Sequence, residues 1–80
     1  MTMTYEQAED FYISQIDLPH GKAFADTVGR FQEGFLADGV TRDLDEAFRR
    51  AVDAASRLLP AMQARMSLRS QVRAAAGLAA

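Results

Sequence analysis

Seven apolar side chains constrain this chain more than anything else in it. Leu44, Phe48, Val52, Ala55, Leu59, Met62 and Met66 follow one another at intervals of 4, 4, 3, 4, 3 and 4. At about 100° per residue they fall in one narrow stripe, the periodicity of a helix with a single buried face. The spacing predicts a long amphipathic helix over about residues 43–73. Asp43 or Thr41 stands at its start as a cap. Asp43 and Glu46 have capping-box spacing, and the acids Asp43, Asp45 and Glu46 suit the positive end of the helix dipole. Pro60 interrupts the run by removing the hydrogen bond to the Ser56 carbonyl. Because the stripe stays in phase across it and no good cap residue directly precedes it, a kinked continuous helix is expected rather than two separate ones. The alanine-rich residues 74–80 are expected to fray.

Two shorter helices precede it. Thr4 and Gln7 form a capping box, with Met3 and Ala8 placed as a hydrophobic staple, so a helix is expected over about residues 5–17. Its apolar stripe is Tyr5, Ala8, Tyr12 and Ile16, flanked by Phe11 and Ile13. So wide an arc implies more than one packing neighbour. Leu18-Pro19-His20-Gly21 reads as a turn. The second helix is expected over about 21–38. It carries Phe24, Val28, Phe31 and Phe35 at intervals of 4, 3 and 4, the densest aromatic stripe and the expected core. Gly39 is placed to end it. Gly29 and Gly34 lie inside it, each costing about 1 kcal/mol relative to alanine, either as tolerated defects or because another backbone approaches closely there. The fold expected is all-α: one domain over residues 1–80, with three helices in up-down-up order joined by short loops.

A helix of 31 residues would span about 46 Å, whereas the second helix reaches only about 27 Å. The first two helices cannot cover all of the third. Leu59, Met62, Met66, Leu68 and Val72 lie in the remainder, and an exposed apolar stripe of that kind marks an interface. The simplest partner is a second copy. The alternative is that Pro60 lets residues 61–73 fold back to close a four-helix monomer.

Charge sharpens the question of partners. Residues 1–46 carry ten acids against Lys22, Arg30 and Arg42, a balance of −7, and residues 47–80 carry six arginines against Asp53, a balance of +5. Two surfaces are candidates for partner binding. Glu6, Asp10 and Asp17 form an acidic row on the first helix. Arg65, Arg69 and Arg73, four residues apart, form a basic row on the third. Both rows also have a plain reading as solvated faces. In a dimer, the basic end of one chain could lie over the acidic hairpin of the other.

The sequence offers little for catalysis. The chain has no cysteine and a single histidine, His20, in a turn, so neither a thiolate metal site nor a histidine-activated serine is supported. The glycines form no phosphate loop and no cofactor fingerprint is present. No enzyme, metal or cofactor is expected. Nothing reads as a membrane span or a signal peptide, and a cytoplasmic location is expected.

A short, cysteine-free, acidic, all-helical chain without catalytic groups resembles the small inhibitor proteins of phages and mobile elements, the anti-CRISPR type among them. The resemblance covers size, composition and helix pattern, rests on no motif, and transfers no residue role. It implies a protein that occupies a surface of a bacterial protein or ribonucleoprotein complex. Direct nucleic-acid binding through the arginine row is the alternative; against it, the chain is acidic overall, with one lysine and no recognisable recognition helix.

Overall fold

The computed structural model describes residues 2–77 and is all-helical over them. Four helices follow in order: α1 (Tyr5–Ile16), α2 (Gly21–Ala37), α3 (Leu44–Ser56) and α4 (Leu59–Ala76). Helices α1, α2 and α3 pack on one another, and α4 touches mainly α2. The molecule is elongated, 51 × 24 × 19 Å, with a radius of gyration of 15.2 Å. A compact chain of this length would have a radius near 12 Å.

The helix starts follow local chemistry. The Thr4 hydroxyl accepts from the Gln7 N–H at 3.2 Å, and the Gln7 side chain accepts from the Thr4 N–H at 2.9 Å, completing the capping box. Asp43 caps α3 by accepting from the Asp45 N–H at 2.9 Å, while its own N–H donates to Thr41 Oγ1. Glu46 does not close a second box, because its carboxylate is taken by Arg49 and Arg50. Helix α2 ends in a Schellman motif. Gly39 adopts φ +73°, its N–H reaches the Leu36 carbonyl, and the Val40 N–H reaches Phe35.

The expected kinked helix over 43–73 is instead two helices, so the count is four. The Arg57 and Leu58 N–H groups bond back to Ala54 and Ala55, tightening the chain into a turn after Ser56. Helix α4 then restarts with Pro60 in its first turn. There a missing N–H leaves no hydrogen bond unmade, since the first four N–H groups of a helix have no intrahelical partner. Leu58 supplies no side-chain cap. The fit of proline to a helix start therefore outweighs the lack of a capping residue, the feature on which a continuous helix was expected. Helix α4 also runs on through Ala76, beyond the expected end near Arg73. Residues 78–80 of the tail expected to fray lie outside the described residues.

The core is a cluster of Ala8, Phe24, Val28, Ala51, Val52 and Ala55. Phe24 is fully buried, with Phe11 edge-on at 5.8 Å and Tyr12 at 6.0 Å between ring centroids; Tyr12 in turn meets Phe48 at 5.4 Å. Phe31 and Phe35 stack on each other at 5.9 Å and are only half-buried, so the aromatic stripe of α2 is deepest at its N-terminal end. On α3 the buried face is rotated from the expected stripe toward Ala47 and Ala51, leaving Leu44 63% exposed. Small side chains on that face let α3 nest between α1 and α2, large residues opposing small ones.

At Gly21 the helix start presses against the end of α1. A Cβ there would lie 1.9 Å from the Ile16 carbonyl oxygen. Its φ is not positive, so close approach rather than an unusual dihedral requires glycine. The same turn buries His20, whose Nε2 lies 2.7 Å from Gln15 Oε1. Gly29 and Gly34 differ: a Cβ at either meets nothing within 4 Å. They are tolerated defects. Gly29→Ala and Gly34→Ala should each raise stability by about 0.5–1 kcal/mol in urea melts, and Gly21→Ala should lower it.

Arg49 ties the chain's start to α3, donating to the Met3 carbonyl at 3.1 Å and to Glu46 Oε2 at 3.0 Å. The Arg49 hydrogen bonds, aided by its charge and by Arg50, bring the Glu46 carboxyl down from 4.5 to about 2 against opposing desolvation. A carboxyl depressed in the folded state contributes stability that is complete above its unfolded value and is lost as pH falls through the folded one. Thermal stability should therefore decline between pH 4.5 and about 2. Glu46→Gln should flatten that decline in melts recorded across the window.

Candidate functional site

Helix α4 is the element without a core of its own. None of its residues is buried. Leu59 and Met62 pack against the edge of the core cluster, and Met66 is half-buried beside α2. Two turns on, Leu68 is 61% and Val72 58% exposed. The five residues expected to form one dimer seam are thus divided: Leu59, Met62 and Met66 face the body of the protein, and Leu68 and Val72 face outward. The cause is helical phase. At about 100° per residue, Leu68 and Val72 lie together with Ala61 and Arg65 on a flank of the Met62–Met66 row.

Between α2 and α4 lies an open groove of about 240 Å³. Asp26 and Arg30 line it from α2, and Met62, Arg65, Met66 and Arg69 from α4. The lining combines two methionines with three arginines from two helices and one acid, Asp26. Arg73 lies on the same face one turn beyond Arg69. In contrast, the acidic row of Glu6, Asp10 and Asp17 lies on the exposed side of α1, and nothing in the fold brings it to the arginines.

The cations of this protein divide into two sets. Lys22 pairs with Asp26 at 3.2 Å, Arg49 and Arg50 with Glu46, and Arg57, the C-cap of α3, with Asp53 at 3.1 Å, each pair local to one helix. Among the described residues, no ion pair forms to Arg30, Arg42, Arg65, Arg69 or Arg73. The sequence explains this for α4, which has no acid after Asp53. It does not explain Arg30, absent from the basic row read from the sequence. Asp26 and Glu33 stand four residues before and three after it, at ion-pairing distance along a helix. The structure gives Asp26 to Lys22 and sets Arg30 against the arginines of α4, a placement with no sequence signal.

Among the described residues, no three His, Cys, Asp or Glu side chains gather to hold a metal ion, and no helix is long and apolar enough to cross a membrane. Comparison with protein-family models, with curated proteins and with solved structures finds no match.

The outward position of Leu68 and Val72 has a direct energetic consequence. Exposed positions away from special features change stability by less than about 0.5 kcal/mol on substitution, whereas a charge placed in a core costs several. Leu68→Asp and Val72→Asp should leave the denaturation midpoint nearly unchanged, and Val52→Asp should unfold the protein, as read by circular dichroism in urea.

Proposed function

We propose that this chain is a small non-enzymatic protein-binding module that presents α4 to a partner. We further propose that it acts as an inhibitor of the anti-CRISPR kind, occupying a surface of a bacterial effector complex. The observation that carries the reading is α4 itself: 18 residues with none buried, bearing exposed Leu68 and Val72 beside unpaired arginines. An ordered helix whose outer flank carries apolar side chains without intramolecular cover suits helix-in-groove recognition. The same feature supports a homodimer, since a second copy is the simplest cover for it. The resemblance in size, charge and all-helical pattern to small phage inhibitors supplies the class of target.

Capture from a bacterial lysate containing a CRISPR effector complex tests the proposal. The tagged chain should retain the complex, and Leu68→Asp with Val72→Asp should release it while leaving helix content intact. Recovery of DNA or RNA instead, lost as salt is raised, would favour nucleic-acid binding through Arg65, Arg69 and Arg73.

A further inference from the structure

We propose that the α2–α4 groove is the docking site for α1 of a second copy of this chain, so that each protomer supplies the carboxylates that the other's arginines lack. The inference rests on the homodimer reading and places its seam at the groove, leaving Leu68 and Val72 on the outer flank of α4 outside it.

The groove and α1 are complementary in charge and in pattern. Glu6, Asp10, Ile13 and Asp17 are spaced 4, 3 and 4 apart and share one row on the outer side of α1. Ile13 is 57% exposed between the acids. The groove presents the complementary residue types, Met62 and Met66 together with Arg30, Arg65 and Arg69. Three carboxylates would meet three guanidinium groups, and Ile13 would cover the methionines. Asp26, the one acid in the groove, pairs with Lys22 at 3.2 Å and forms no ion pair with Arg30, Arg65 or Arg69. Within one chain the rows remain apart. Between two chains related by a two-fold axis, the contact forms twice, which is the requirement of an isologous interface. The contact sets three of the acids of the −7 half against two arginines of the +5 half and Arg30. A polyanion would satisfy the arginines as well, but would leave Ile13 and the acidic row without a role.

The test uses paired charge reversals in the full chain, followed by sedimentation equilibrium. Wild type should dimerise at low salt and dissociate as salt rises, since ion pairs are screened over about 10 Å at 0.1 M. Arg65→Glu with Arg69→Glu should weaken association more than about tenfold, and so should Glu6→Arg with Asp10→Arg. All four positions are exposed, and circular dichroism should show both variants folded. Mixed together, the two variants should form a one-to-one heterodimer, because each groove then finds an oppositely charged α1. A wild-type monomer at tens of micromolar and low salt would overturn the homodimer reading itself. A wild-type dimer that survives both reversals, or folded variants that fail to associate on mixing, would overturn the groove assignment alone. A dimer broken by Leu68→Asp with Val72→Asp and not by the reversals would move the seam to the outer flank of α4. A monomer that instead binds single-stranded DNA through Arg65 and Arg69 would give the groove to a polyanion.

Discussion

Burial of Phe24 holds the protein together. Its ring sits where α1, α2 and α3 meet, with Phe11 and Tyr12 against it, and in the same cluster the other helices contribute small residues, Ala8, Ala51 and Ala55. A fully buried phenylalanine contributes about 1.5–3 kcal/mol, a large share of the net stability of a small domain. The alanines let the helices approach closely around it. A core built from one large ring, two valines and small side chains is narrow, and α4 reaches only its edge, through Leu59 and Met62. That is the physical reason α4 has no place inside.

The proline at the start of α4 fixes where the break falls. Pro60 fits a first turn with no hydrogen bond lost, and the chain ends one helix and begins another near Leu58, at the edge of the core rather than within it. Leu59 and Met62 anchor the restart. From there the helix leaves the body of the protein, and its basic side chains come to flank α2. The groove at Arg30 is a consequence of this departure, not of either helix separately.

Electrostatics follows the same division. Helix α3 pairs its charges internally, through Glu46 with Arg49 and Arg50 and through Asp53 with Arg57. Helix α4 has no acid with which to do so. Exposed pairs within a helix contribute a few tenths of a kilocalorie each and hold local shape. Unpaired guanidinium groups gathered from two helices do not stabilise the fold they sit on; they favour an anion brought from outside it.

Local chemistry determined much of this architecture. The capping box at Thr4, the cap at Asp43, the end of α2 at Gly39 and the all-helical class were legible because each depends on residues a few positions apart. The turn at Leu18–Gly21 was legible too, although the reason for Gly21 was not: the Ile16 carbonyl that crowds it belongs to the preceding helix. Periodicity marked one buried face across residues 44–66 but could not tell which neighbours would cover it. Tertiary packing decided that the face of α3 turns toward Ala47 and Ala51, that Leu44 stays outside, and that Leu68 and Val72 separate from Met62 and Met66. It also decided that Arg30, with two acids at pairing distance along its own helix, stands instead with Arg65 and Arg69. Helical phase is written in the chain, but which charges meet across two helices depends on where a third has pushed them.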